Sequence, residues 1–126
     1  MNSVQAKLSR PVPKRPLTIL ILGCVYIATG ALGIAFHLDD FRSPRLITDG
    51  LIWIALVRLA AVVCGAFMLR GANWARWLAL AWMAFHVVVG ALHSVREVVV
   101  HVVFFVAIVY LLFLPEARAY FRGRET

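Results

Sequence analysis

The chain has 126 residues, 63% hydrophobic and 15% charged, with a formal net charge of +7. A soluble domain of this size carries about 45–50% apolar and about 25% charged residues, so the composition argues against a water-soluble fold, and a mean hydropathy of +0.87 suits a chain dissolved mostly in lipid. The basic residues flank long apolar blocks, a pattern that marks membrane topology rather than nucleic-acid binding.

The first sixteen residues hold Lys7, Arg10, Lys14 and Arg15 among Pro11, Pro13 and Pro16, and read as a basic arm. Leu17 to Phe36 forms the first apolar block. Its apolar core is longer than that of a leader peptide and no small-residue cleavage motif follows, so it reads as a span. The second block runs from Gly50 to Leu69, the third from about Ala75 to His93 and the fourth from about Val98 to Leu114. Each is near the ~20 residues that a helix needs to cross the hydrocarbon core.

No proline falls between Ala75 and Leu114. One helix of that length would reach about 60 Å, twice the bilayer. A break is therefore required, and His93-Ser94-Val95-Arg96-Glu97 is the polar stretch that supplies a hairpin. Residues 115–126 form a basic tail. Pro115 suits a first helical position, and Tyr120 and Phe121 can lie at the headgroups beside Arg118 and Arg122.

The expected fold is all-α: an integral membrane, antiparallel four-helix bundle. Lys7, Arg10, Lys14, Arg15, Arg70, Arg76, Arg118, Arg122 and Arg124 flank one side, and Arg42, Arg45 and Arg96 the other. By the positive-inside bias this places both termini in the cytoplasm. Trp74 and Trp77 fall at the inner interface and Trp53 near the outer one.

Small and polar residues mark the inward faces: Gly23, Tyr26, Gly30, Gly33 and His37 in the first span; Arg58, Ala61 and Gly65 in the second; Met83, His86, Gly90 and His93 in the third. Gly30-Ala31-Leu32 and Gly90-Ala91-Leu92 form a faint internal echo that chance accounts for. Cys24 and Cys64 lie within apolar blocks without a C-x-x-C pattern and read as packing residues.

Arg58 is the most informative single residue. An arginine near the middle of a span costs about 2.5–3.5 kcal/mol on insertion scales. Glu97 is its natural partner, with Asp39 or Asp40 as alternates. A structural ion pair is the plain reading; an anion, quinone or proton site is the functional one. His37, His93, Glu97 and His101 gather at the outer end of the topology and offer the atoms that zinc or copper prefers, though in no established metal motif. Interface histidines bonded to carbonyls or headgroups are the plain alternative. Haem has weaker support, because His86 lacks a facing partner and a hairpin neck leaves little room.

Four stretches carry a resemblance: Gly71-Ala72-Asn73-Trp74-Ala75-Arg76-Trp77-Leu78-Ala79-Leu80-Ala81-Trp82, Phe85-His86, His93-Ser94-Val95-Arg96-Glu97 and Leu114-Pro115-Glu116-Ala117-Arg118-Ala119-Tyr120-Phe121. Together they resemble small uncharacterised four-span bacterial membrane proteins, over about the last half of the chain. That resemblance implies topology and an inner-membrane location, with no activity attached.

No nucleotide-binding or catalytic triad pattern is recognisable. The function expected from the sequence is a non-enzymatic accessory or interaction subunit, with a membrane-protein partner or a homo-oligomer. The alternatives are a metal- or haem-binding protein using His37, His93, Glu97 and His101, and an oligomeric proton or small-solute conduit lined by Arg58 and His86.

Overall fold

The computed structural model describes residues 2–8, 13–42, 44 and 50–124. Arg10 and Pro11 of the basic arm, and Arg45 of the charge bias, lie outside the described residues. Helices run over α1 (Ser3–Leu8), α2 (Leu17–Phe36), α3 (Leu51–Leu69), α4 (Asn73–Ala91), α5 (Val95–Leu112) and α6 (Pro115–Arg124). No strand occurs among the described residues.

Helices α2 to α5 are each long and apolar enough to cross a membrane, which makes this an integral membrane protein. Side chains such as Ile21, Leu32, Leu56, Val88, Val103 and Val106 stand at the surface of the bundle. In water such a surface would aggregate; in lipid it is solvated by acyl chains.

The four long helices run alternately up and down. Gly23 of α2 faces Gly65 and Leu69 of α3, whereas Gly30 and Gly33 face Arg58. Cys64 of α3 meets Ala75 of α4, and Val57 meets Trp82. His86 of α4 lies beside His101 of α5, and Trp77 beside Phe113. In each hairpin the residue number rises on one helix as it falls on the other.

The α2–α3 interface depends on missing side chains. A methyl group at Gly30 would stand 2.5 Å from the Arg58 carbonyl oxygen, and one at Gly65 would stand 2.5 Å from the Gly23 carbonyl oxygen. Backbones can approach this closely only where Cβ atoms are absent, as in small-residue packing of membrane helices.

The connections have local causes. After α3, Gly71 takes φ +81, its N–H bonds Met68 O at 3.0 Å, and Ala72 N–H bonds Phe67 O at 3.0 Å. This is a Schellman ending, which satisfies helix-end carbonyls and needs a left-handed residue. The α4–α5 turn is shorter than the sequence suggests. Helix α4 ends at Ala91, and α5 begins at Val95, so Arg96 and Glu97 are helical rather than part of the loop. The reason is a cap: Ser94 Oγ accepts the Glu97 N–H at 3.2 Å, and Ser94-Val95-Arg96-Glu97 has the spacing of a capping box.

The end carrying α6 and the α3–α4 turn is termed proximal; the end carrying the α2–α3 and α4–α5 connections is termed distal. Helix α6 closes the proximal end. Its Ala117, Tyr120 and Phe121 are fully buried, while Arg118, Arg122 and Arg124 stay exposed. Tyr120 Oη–H donates to Leu69 O at 2.8 Å, satisfying one of the carbonyls left orphaned where α3 ends. The Arg76 guanidinium lies over the rings of Trp77, Phe113 and Phe121. Most of the buried core, including Ile19, Cys64, Met68, Ala75, Leu112 and Phe121, therefore sits toward the proximal half. The distal half is looser, and there the helices enclose a cavity.

Candidate functional site: a polar cavity within the distal half

All four long helices contribute to a half-open cavity of about 350 Å³. Residue positions along the helices fix its depth at ~1.5 Å per residue. Arg58 lies seven residues inside the distal end of α3, Thr29 seven inside that of α2, His86 five inside that of α4 and His101 six inside that of α5. These four polar groups share a level about 8–11 Å below the helix ends. Met83, Phe104, Val25 and Ile108 line the deeper part, about 12–20 Å down. The cavity is polar at its distal end and apolar toward its base.

The mouth lies at the seam between α2 and α5, which contact each other much less than α2 contacts α3 or α4 contacts α5. The exposed lining residues, Val25 at 52%, Phe104 at 57% and Thr29, all lie on those two helices. The cavity therefore opens sideways, where acyl chains would lie.

Arg58 enters from α3. Its side chain lies over Gly33: a methyl group there would stand 2.5 Å from Arg58 Cδ and Nε. The expected partnership with Glu97, Asp39 or Asp40 is not formed. Asp40 pairs instead with His37 at 3.0 Å, and Asp39 with Arg42 at 3.6 Å. Glu97 is exposed at the start of α5, while the arginine stem is directed at α2. Among the described residues no carboxylate comes within 4.0 Å of the guanidinium.

The histidines are oriented by their own helices. His86 Nδ1 is 2.8 Å from Trp82 O, and His101 Nδ1 is 2.7 Å from Glu97 O. A carbonyl oxygen can only accept, so Nδ1 carries the hydrogen in both rings. In the neutral ring Nε2 is then a lone-pair acceptor. The two ring centroids are 6.0 Å apart. Gly90 leaves room for this approach, since a methyl group there would stand 3.2 Å from His101 Nδ1 and the ring would have to give slightly.

Aromatic side chains complete the walls. Trp82 Nε1–H donates to Val57 O at 2.8 Å and packs on His86 with ring centroids 3.9 Å apart. Tyr26 Oη–H donates to Ala79 O at 2.9 Å, which commits its hydroxyl and fixes the ring in the cavity wall. Both residues are pinned by backbone carbonyls across helix interfaces.

The four residues expected at a metal site are not brought together. His37 bonds Asp40 on the α2–α3 connection. His93 Nδ1 turns back to Val89 O at 2.8 Å, and Glu97 stays exposed. Only His101 reaches the cavity. Among the described residues no group of three or more His, Cys, Asp or Glu side chains is placed to hold a metal ion. Cys64 is buried with Sγ–H donating to Ala75 O at 3.2 Å, whereas Cys24 is exposed; they do not pair.

Arg58 and His86, singled out from sequence, thus share one cavity, and His101 joins them in place of the outer cluster. Trp82 and Tyr26 complete it; Tyr26 was legible as an interface residue, Trp82 not at all. Comparison with protein families, with curated proteins and with solved structures finds no match to this chain.

Proposed function

We propose that this protein is a non-enzymatic, ligand-binding membrane subunit that takes an amphipathic small molecule from the bilayer and holds its headgroup at Arg58. The membrane is the inner membrane of a bacterium, with both termini on the cytoplasmic side, so the cavity lies in the outer half. The charge bias across the spans supports that orientation, and the resemblance of the last half of the chain to four-span bacterial proteins supports the location.

One observation carries the reading: a guanidinium within the apolar zone faces a cavity without a carboxylate partner among the described residues. Arginine offers donors and no acceptor. Its insertion cost is offset when a ligand supplies oxygen acceptors. The volume lies at the small end of the range for ligand pockets, about 300–1,000 Å³, and the sideways mouth admits a molecule already dissolved in lipid.

The test is native mass spectrometry of the protein released from nanodiscs. The discs are loaded with undecanoate, with decylubiquinone or with undecane, which has no headgroup. A one-to-one adduct with at least one oxygen-bearing probe, absent with undecane and lost in Arg58→Ala, is the expected result. Adducts that ignore the headgroup or persist in Arg58→Ala would refute it.

A further inference from the structure

Beside the Thr29 hydroxyl, which can donate or accept, the charged and imidazole groups of the cavity are of two chemical kinds, and their combination narrows the ligand. Resting on the reading that the Arg58 cavity binds a lipid-phase headgroup, we infer that the headgroup is a quinone ring, held more tightly as the hydroquinone.

Arg58 can only donate. His86 and His101 have committed Nδ1–H to the carbonyls of Trp82 and Glu97, which leaves each neutral ring an acceptor at Nε2. A site with fixed donors on one wall and fixed acceptors on another suits a headgroup that itself carries both. A carboxylate has acceptors only: it would satisfy Arg58 and offer no donor to either imidazole lone pair. An alcohol carries a single oxygen, which would have to reach Arg58 and an imidazole at once, whereas two separated ring oxygens can serve the two walls independently. A hydroquinone meets both demands, since one oxygen accepts from Arg58 and a hydroxyl on the ring donates to Nε2 of His86 or His101.

The shape of the walls agrees with a flat head. Trp82, Tyr26 and Phe104 line the same space. Two of these, Trp82 and Tyr26, are held by hydrogen bonds to Val57 and Ala79 and pack on each other with centroids 5.4 Å apart. Pinned aromatic walls favour a planar ring over the thin, flexible chain of a fatty acid. The apolar part near Val25 and Ile108, and the mouth at the α2–α5 seam, give an isoprenoid tail a path into the bilayer. Only binding is assigned here; the chain need not exchange electrons with the ring.

The experiment uses the full chain in nanodiscs with Trp53, Trp74 and Trp77 replaced by Phe, leaving Trp82 as the reporter. Decylubiquinone is titrated as a quencher, and decylubiquinol and undecanoate are used as competitors. Saturable quenching is expected, with the quinol displacing the quinone at lower concentration than the quinone's own half-saturation and undecanoate needing at least tenfold more. In His86→Phe/His101→Phe the preference for quinol over quinone should vanish, while Arg58-dependent quenching by the quinone persists. Displacement by undecanoate as effective as by the quinol would overturn the quinone assignment and leave the Arg58 site standing. A quinol preference that survives the double histidine variant would overturn the acceptor role of the imidazoles. Quenching that never saturates, together with undecanoate that also fails to form an adduct, would remove both readings.

Discussion

The Arg58 side chain occupies the space that a side chain at position 33 would fill: a methyl group on Gly33 would stand 2.5 Å from both Cδ and Nε of the arginine. The guanidinium therefore reaches the cavity by lying across the face of α2. The atoms in conflict belong to the flexible end of Arg58, so they can swing away. Gly33→Ala should leave thermal stability within a few degrees of wild type, because only the flexible end of Arg58 has to move and the overpacking cost of about 1–3 kcal/mol against rigid neighbours is largely avoided. Ligand retention should fall about tenfold as the donor array moves. Parallel melting curves and probe titrations would check this.

Gly30 and Gly65 should behave differently although they belong to the same stripe. Their methyl groups would meet backbone oxygens, Arg58 O and Gly23 O, at 2.5 Å, and backbone cannot rotate aside. Gly30→Ala and Gly65→Ala should each cost about 1–3 kcal/mol through overpacking, measured by unfolding in mixed detergent. A Gly30→Ala protein as stable as Gly33→Ala would show that α2 and α3 do not pack this closely.

Tyr120→Phe removes one hydroxyl, whose short bond is to Leu69 O and whose longer one, at 3.5 Å, is to Met68 O. The variant keeps the ring but removes the Oη–H that reaches Leu69 O at 2.8 Å, leaving a helix-end carbonyl without that partner. A loss of about 1–3 kcal/mol is expected, along with faster amide exchange in α6. Exchange confined to α4 or α5 would contradict the assigned role of α6 as the closure of the proximal end.

Topology is open to direct labelling. In a chain with Cys24 and Cys64 replaced by Ser, a cysteine at the exposed turn residue Leu92 should react with a membrane-impermeant maleimide in intact cells. A cysteine at exposed Arg122 should react only after lysis. The reverse pattern would invert the bundle and place the cavity in the cytoplasmic leaflet.

Much of this architecture was readable from the sequence because lipid imposes few solutions. An apolar block of twenty residues such as Leu17–Phe36 must be a helix, and the structure ends α2 where the block ends. The α4–α5 boundary was less clear. Arg96 and Glu97 read as loop by polarity, yet Ser94 caps a helix that includes them; the S-x-x-E spacing carried that information.

The site was only half legible. An arginine within a span is visible as an anomaly in any sequence, and seven-residue spacing puts His86 and His93 on one helix face. Which polar groups share a cavity depends instead on side-chain direction. His93 folds back onto Val89 O, whereas Gly90 admits His101 toward His86. Trp82 gave no signal as a site residue, since a tryptophan in a span more often marks packing or an interface. Its role arises from the bond to Val57 O, which spans two helices.

The most direct test concerns the guanidinium itself. In ¹⁵N-labelled protein the Arg58 Nε–H resonance, assigned by its absence from an Arg58→Lys spectrum, is followed while decylubiquinol is added. A progressive shift of that one arginine resonance that saturates near one equivalent, with Arg70 and Arg122 unmoved, is the expected result. An Arg58 signal that stays in place, or that moves only in step with every other arginine, would contradict a headgroup site in the cavity.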